Sequence, residues 1–314
     1  MDQFFIVLTQ IGIFLILILV GIITVKCGIL DDRSLVSVSK LVMRVALPAY
    51  IFINTVEGST REGLFSSLLM LPLTVIMYLL LILLGQLLVR FFHLQGNRQK
   101  VFRAVTTFGN VGFMGIPLVV ELYPDTALIY ISLFTILDQC LFWTYGVSLT
   151  KPADGPKEKL SLKGLKNLLS PALVAILLGT VLVLLGVHLP NVLTSALSKL
   201  GSASMPLSLI YIGGMLCMTD IRRVLGCYEL YAEILLKMLV LPLIFFFFMQ
   251  LCGIPGDMAG TVTFLTALPA ISTVPMLSKN NGSDGDYALC AVMLTTMASL
   301  ITLPLVSLGI ALIA

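Results

Sequence analysis

Charged side chains are scarce in this chain. Aspartate, glutamate, lysine and arginine make up 11% of its residues, whereas soluble domains carry about 25%. Hydrophobic residues make up 58%, and the mean hydropathy is +1.06. This composition excludes a soluble globular protein and indicates a protein embedded in a lipid bilayer. The net charge of +3 is divided among the loops, so it does not indicate a nucleic-acid partner.

Signatures of enzymes and of metal sites are also missing from the sequence. The six cysteines form no C-x-x-C motif and lie mostly in or beside apolar runs, where free cysteine acts as a small hydrophobic residue. The two histidines, His93 and His188, fall on opposite sides of the predicted membrane. No Walker A, nucleophile-elbow or H-E-x-x-H pattern occurs. We therefore expect no metal, no cofactor and no enzymatic activity, and ATP-driven transport would need a partner chain.

The chain contains instead ten apolar runs of membrane-spanning length. Counted as spans one to ten, they cover residues 4–26, 34–56, 66–91, 100–121, 126–150, 168–187, 192–218, 229–252, 258–278 and 286–313. The predicted fold class is therefore an all-α integral membrane protein. Residues 1–150 would hold five spans, 151–167 a polar linker and 168–314 five more. The start of the chain lacks a basic region, so no cleaved signal peptide is expected.

Lysine and arginine concentrate in the odd-numbered connections between spans. Arg90 and Arg98 flank the third connection, and the linker 151–167 contains five lysines. Positively charged loops remain in the cytoplasm. We therefore predict a multi-pass protein of the cell inner (plasma) membrane, with the linker in the cytoplasm and both termini outside.

Span four contains a concentration of helix-breaking residues. Gly109, Gly112, Gly115 and Pro117 lie within nine positions, together with Asn110. Glycine weakens a helix, and proline removes a backbone donor. In hydrocarbon, unpaired backbone groups are tolerated only where protein or a water-lined cavity covers them. The sequence therefore predicts a helix that is broken within the membrane and lines a binding site.

Span nine contains a second segment of this kind. Pro269 and Pro275 lie on either side of Ser272 and Thr273. Interrupted spans at corresponding positions of two halves mark the substrate site of secondary transporters. We therefore expect spans four and nine to be broken and to cross at mid-membrane.

Two pairs of prolines indicate an internal repeat. Pro48 and Pro206 are 158 residues apart, and so are Pro117 and Pro275. Because each half has an odd number of spans, the second half would be inserted upside down relative to the first, as an inverted repeat. Pro48 and Pro206 are expected to kink their helices rather than to break them.

Three segments resemble proteins of the auxin efflux carrier superfamily. The segment N-V-G-F-M-G-I-P-L at 110–118 is similar to the N-x-x-x-M-G-I-P-L of the plant carriers, and A-L-P-A-I-S at 267–272 and L-K-M-L-V-L-P-L at 236–243 resemble bacterial members. The resemblance implies a ten-helix inverted repeat related to the bile-acid/sodium symporters. Spans one, two, six and seven would form a scaffold, through which a homodimer could assemble. Spans three to five and eight to ten would form a transport domain.

The same resemblance implies a range of substrates. Plant members export a carboxylate hormone, and bacterial members are associated with malate, malonate and other organic acids. The long central loop of the plant carriers is replaced here by the short linker, so regulation through that loop is not expected.

Candidate site residues follow from both lines of reasoning. Asn110 occupies the position of the family's crossover asparagine, where its amide could donate to a carboxylate beside a half-helix N-terminus. Alternatively, it caps its own broken helix. Gly112, Gly115 and Pro117 would line the same break, as would Pro269 and Pro275 in span nine. The hydroxyls of Ser272 and Thr273 could donate from the opposite side, or they could bond to their own backbone.

Ionisable residues within apolar spans are further candidates, because each is costly there. Asp138 and Lys237 would both belong to the transport domain, so a buried ion pair between them is one interpretation. A functional Asp138 would instead be a proton or cation site, and Lys237 could extend to the cytoplasmic surface. Arg44 would face the site from the scaffold and could bind a carboxylate with two hydrogen bonds.

The leading hypothesis is a secondary transporter of small organic anions such as malate, malonate or auxin-like acids. It would act in efflux, by elevator-type alternating access. A sodium- or proton-coupled symporter or antiporter of the same fold is the first alternative. A membrane sensor or receptor is the second, although the short linker leaves no room for an output module.

Overall fold

The computed structural model describes residues 2–58, 60–154, 171–187, 189–218 and 226–314. Within these ranges every regular element is a helix, which confirms the predicted all-α class. We number the helices in chain order: α1 Asp2–Lys26, α2 Asp32–Gly58, α3 Arg61–Ser66, α4 Met70–Phe91, α5 Gly96–Thr107, α6 Val111–Leu122, α7 Ala127–Leu149, α8 Pro171–Leu185, α9 Asn191–Met218, α10 Tyr228–Leu251, α11 Gly256–Thr266, α12 Thr273–Asn280 and α13 Gly285–Ile313.

Seven of the described helices are long and apolar enough to cross a membrane. They are α1, α2, α4, α7, α9, α10 and α13. The predicted spans four and nine each consist of two shorter helices, α5 with α6 and α11 with α12. The predicted span six begins outside the described residues and continues as α8. The prediction of ten spans in an inverted repeat stays a prediction.

Three prolines follow a widened turn in helices that continue through them. Three helices contain a π-helical turn that ends two residues before a proline: Val42–Ala46 before Pro48, Val111–Gly115 before Pro117, and Leu236–Val240 before Pro242. Proline lacks the backbone N–H and its ring crowds the preceding turn. A single wide turn accommodates both effects, and the chain continues as a helix.

Two groups of helix contacts can be distinguished, and they also touch each other, since α8 packs on α7 and α1 on α13. In the first group, α1 lies along α9, and α2 packs on α8 and α9. The α1–α9 contact brings backbone against backbone: a Cβ atom at Gly21 would lie 2.1 Å from the Ile210 carbonyl oxygen, and one at Gly213 would lie 2.0 Å from that of Ile18. Small residues at such crossings let membrane helices approach closely.

The second group surrounds the two broken segments. Helix α4 packs against α5 and α7, α10 packs on α11, and α13 contacts α12, α5 and α10. Residues 258–270 are all buried. The interrupted backbone is therefore covered by protein, which is the condition for tolerating it within a membrane.

Candidate functional site

The two broken segments pair with each other. Helix α5 ends at Thr107 and α6 begins at Val111, while α11 ends at Thr266 and α12 begins at Thr273. The intervening residues form a short antiparallel bridge between Gly109 and Ala270. The backbone N–H of Asn110 donates to the Pro269 carbonyl at 2.8 Å, and the backbone N–H of Ile271 donates to the Phe108 carbonyl at 3.1 Å. Backbone groups that lose their helical partners thus find new ones across the crossing.

The first break is shorter than the sequence indicated. It covers residues 108–110, whereas Gly112, Gly115 and Pro117 lie inside α6. Gly115 is needed for close packing, because a Cβ atom there would lie 2.6 Å from Leu268 Cδ1. Pro117 follows the π-helical turn near the start of the regular α-helical part, where its missing N–H is tolerated. These residues shape α6 against the crossing rather than interrupting it.

A cavity of about 60 Å³, measured as the space open to the centres of water molecules, lies beside the crossing. A single water needs about 10–15 Å³ by this measure, so the cavity has room for several waters or for a small organic molecule. Its lining comes from α2, the first break, the start of α6, α7, the start of α8, the second break and the start of α12: Met43, Leu47, Ile51, Asn110, Val111, Gly112, Phe113, Ile116, Thr135, Asp138, Gln139, Phe142, Trp143, Pro171, Ile271 and Thr273.

Asn110 lines this cavity, and its side-chain amide has an unused donor. Its side chain is 1% exposed, and Nδ2 has no hydrogen-bond partner among the described residues. Its side chain does not cap α6. A buried polar group without a partner costs about 1–3 kcal/mol. The amide therefore needs a partner such as a bound molecule, and it lies where the N-terminus of α6 adds positive partial charge.

Asp138 lines the same cavity and is held by a chain of hydrogen bonds. The Tyr78 hydroxyl donates to Asp138 Oδ1, and Gln139 Nε2 donates to Oδ2 at 2.8 Å. Trp143 Nε1 in turn donates to Gln139 Oε1 at 3.2 Å. Asp138 is 3% exposed. These contacts fix the carboxyl group at the wall of the cavity, on the α7 side.

The cavity's electrostatics come from helix ends and from Asp138. Within the described part of the chain, no lysine or arginine lines it. The N-termini of α6 and α12 both open toward it, through Gly112 and Thr273. The first amides of a helix have no partner within the helix, so each N-terminus favours an anion. No group of three or more His, Cys, Asp or Glu among the described residues could hold a metal ion.

Comparison with known proteins agrees with this architecture. A family model described as "Membrane transport protein" matches residues 6–307, nearly the whole chain. The chain belongs to this family. It is the family of the auxin efflux carriers, so the resemblance found in the sequence is confirmed. The protein is therefore a multi-pass membrane transporter.

Three relatives cover almost the full length of the chain. An uncharacterized transporter of Methanocaldococcus jannaschii is 24% identical, over 93% of this chain and 95% of its own. An uncharacterized transporter of Methanothermobacter thermautotrophicus is 23% identical, over 93% of this chain and 94% of its own. A protein of Rhizobium meliloti whose name describes it as a proposed malonate transporter is 22% identical, over 91% and 90%.

The second broken segment of this transporter contributes two residues to the cavity, Ile271 and Thr273. Thr273 lines the cavity, with its hydroxyl 3.9 Å from Met43 Sδ. Ser272 is buried at the start of α12 but does not line the cavity. Pro269 takes part in the crossing through its carbonyl, and Pro275 lies buried in the first turn of α12. Of the predicted residues, the structure thus brings Asn110, Gly112, Asp138 and Thr273 together at the cavity.

Two of the predicted charged residues lie elsewhere. Arg44 is exposed on α2 and does not line the cavity. Lys237 is fully buried on α10 and does not meet Asp138. Its ammonium lies 3.6 Å from Glu233 Oε1, one helical turn away. The interpretation of an Asp138–Lys237 ion pair is therefore corrected, because Lys237 has a nearer carboxylate on its own helix and Asp138 is bound by Tyr78 and Gln139.

Sequence reasoning missed several residues of these networks. The pairing of Glu233 with Lys237 could have been predicted from the sequence, because an acid four residues before a lysine lies on the same helical face. Gln139 and Trp143 were also within reach, since residues four apart on α7 lie side by side. Tyr78 gave no signal, because its contact with Asp138 joins residues 60 positions apart.

Proposed function

We propose that this transporter carries small organic anions and binds their carboxylate group in the cavity beside the crossing. The observation that carries the proposal is the Asn110 side chain, which lines the cavity and whose buried Nδ2 has no hydrogen-bond partner in the described structure. A carboxylate oxygen would accept from that donor and would be favoured by the positive partial charge at the N-terminus of α6. Hydrogen bonds to charged partners are the stronger ones.

The cavity's composition limits the substrate. Its walls are mostly apolar, from Leu47 and Ile51 on one side to Phe142 and Trp143 on the other. Binding sites of this type fix orientation through a few polar groups and exclude water elsewhere. Together with the size of the cavity, this favours a short mono- or dicarboxylate. The name of the Rhizobium meliloti relative supports a malonate-sized acid.

We propose elevator-type alternating access between the two groups of helices. The group of α1, α2, α8 and α9 would be the scaffold, also used for a homodimer, and the remaining helices would form the transport domain. The cavity lies at the seam between α2 on one side and α6 and α7 on the other, which supports this division. Toward the end of α2, Gly58 packs tightly on Leu128 of α7 and closes that side. By resemblance to the plant carriers, the net direction would be efflux.

This division corresponds to ten spans in two inverted repeats, residues 1–150 and 168–314, with spans four and nine crossing at mid-membrane. The crossing of α5–α6 with α11–α12 supports it. We also propose that the protein resides in the inner (plasma) membrane, with both termini outside and the linker 151–167 inside.

Proton coupling is a second candidate, favoured by one observation. Asp138 lines the cavity that would hold the carboxylate, and two carboxylates at close range repel each other. A proton on Asp138 would remove that repulsion, so the anion and a proton would bind together. The Tyr78 hydroxyl and Gln139 amide would then hold Asp138 in either state.

A thermal-shift screen of the purified protein tests the anion proposal. Malonate, malate and acetate would be compared with malonamide, which has the same carbon skeleton without a charge. A ligand that binds only the folded state raises the unfolding temperature. We expect a saturable rise with one of the acids and none with malonamide, and the same series with and without sodium and across pH would report coupling. Equal effects of malonamide and malonate would contradict carboxylate recognition.

A further inference from the structure

A second set of buried charges lies outside the cavity, on α10. Glu233 and Lys237 are both 0% exposed and stand one helical turn apart. Neither residue lines the cavity. Burying two charges is costly unless each finds a good partner, so their contacts identify what the pair does.

The Lys237 ammonium reaches the end of a broken helix. Its Nζ donates to the Val105 carbonyl oxygen at 3.0 Å. In a continuous helix that carbonyl would accept from the amide of Gly109, four residues on. Because α5 ends at Thr107 and Gly109 lies in the bridge to α11–α12, the bond is lost. The ammonium replaces it, at a helix C-terminus where a positive charge is favourable.

Glu233 balances this cation within the protein. Neither of its carboxylate oxygens has a hydrogen-bond partner among the described residues, and its charged neighbour is Lys237 at 3.6 Å. The nearby Glu229 is already engaged. It accepts from Arg98 Nη2 at 2.6 Å and from the Tyr287 hydroxyl at 2.7 Å. The oxygens left for Lys237 are therefore one carboxylate and one carbonyl from a half-helix end.

We propose that the Lys237 ammonium is a covalently attached monovalent cation, occupying a position that would otherwise take a metal ion such as Na⁺. Carbonyl groups at the C-terminal ends of half-helices are sites where coupling ions bind in transporters with broken helices. Here the side chain supplies the charge instead. Lys237 is thus a positioning residue: it holds the end of α5, and Asn110 follows Val105 by five residues.

Two consequences follow from this assignment. The natural protein needs no inorganic cation at this position, so Na⁺ should leave its stability unchanged. Shortening the side chain should create a monovalent-cation site between Val105 and Glu233. Both consequences concern the folded protein without substrate, so they can fail independently of the anion proposal.

The test compares Lys237→Ala with Lys237→Met, which lacks the charge but fills the space. Unfolding temperatures of the purified proteins would be measured in sodium chloride and in N-methylglucamine chloride at equal ionic strength. We expect equal values in both salts for the natural protein and for Lys237→Met. For Lys237→Ala we expect a lower value that sodium raises in a saturable manner, because the ion binds only the folded state. Methylammonium should act like sodium.

Hydrogen exchange adds a local measurement to the unfolding temperature. Hydrogen exchange of the amides between Thr107 and Val111 should be faster in Lys237→Met than in the natural protein, since the packing volume is kept while the hold on α5 is lost. Should Lys237→Ala fold only when sodium or methylammonium is present during purification, that result supports the proposal equally. No rescue by either cation, or a sodium response already present in the natural protein, would overturn it.

Discussion

The close contact between the end of α2 and α7 leads to a prediction whose free-energy cost can be estimated. Gly58 lies against Leu128 of α7, and a Cβ atom at Gly58 would stand 2.1 Å from Leu128 Cδ1 and 2.7 Å from Leu128 Cβ. A leucine can turn its methyl groups, but its Cβ moves only with the backbone. Gly58→Ala should therefore force the two helices apart at this point. Overpacking of this kind costs about 1–3 kcal/mol.

This free-energy cost applies only to the conformation in which α2 and α7 are in contact. If α2 and α7 separate during transport, Gly58→Ala shifts the population toward the separated state by roughly 5-fold to 150-fold, since each 1.4 kcal/mol is about tenfold. The readout is labelling of Asn54→Cys, which lines a small gap with Tyr50 and Ser132 beside this contact. A membrane-impermeant maleimide added from outside would be used, in a background in which the six cysteines are replaced.

Two variants make the result specific. Leu128→Ala removes Cγ and Cδ1 but keeps Cβ, so the double variant should return only part of the way to the natural labelling rate. Gly12→Ala is the matched control, because a Cβ atom at Gly12 meets nothing within 4 Å. An unchanged labelling rate in a folded Gly58→Ala protein would refute the idea that this contact opens during transport.

Two further predictions concern coupling and topology. Carboxylate affinity of the natural protein should fall as pH rises, because Asp138 loses the proton that allows an anion to bind beside it. The Asp138→Asn side chain stays neutral at every pH. Calorimetric titrations of this variant should therefore show a carboxylate affinity that no longer varies with pH. A pH profile that is the same in both proteins would remove Asp138 from coupling. Tags at residues 1 and 314 should be accessible from outside the cell and one near residue 155 from the cytoplasm; a cytoplasmic terminus would contradict the charge argument.

The helix breaks could be predicted because they follow from local chemistry. Proline and glycine act on their own turn, so Pro269 and the glycines after Phe108 marked both segments. The extent of each break was less predictable. Pro117 looked like part of an interruption, yet a single π-helical turn absorbs it. Whether a proline breaks or widens a helix depends on which partners surround the freed carbonyls.

Contacts between distant segments were out of reach for a different reason. The bond from the Asn110 backbone N–H to the Pro269 carbonyl joins two halves of the chain, and nothing in either segment specifies its partner. Arg44 was assigned to the site because a charge in an apolar span usually has a function. In the structure Arg44 is exposed, whereas Val42 and Ala46, two residues away on either side, are buried.

The most direct test of the account is the carboxylate affinity of Asn110→Ala. In the free protein Asn110 Nδ2 has no partner in the described structure, so the substrate meets no competing bond. Losing a hydrogen bond to a charged group costs about 1.5–3 kcal/mol, which corresponds to a fall in affinity between about tenfold and a hundredfold. The matched control is Asn281→Ala, which removes an amide bonded to Thr150 Oγ1 away from the cavity. Isothermal titration with the acid that binds the natural protein should show this loss for Asn110→Ala alone. Natural affinity in a folded Asn110→Ala protein, or an equal loss in both variants, would contradict the central claim.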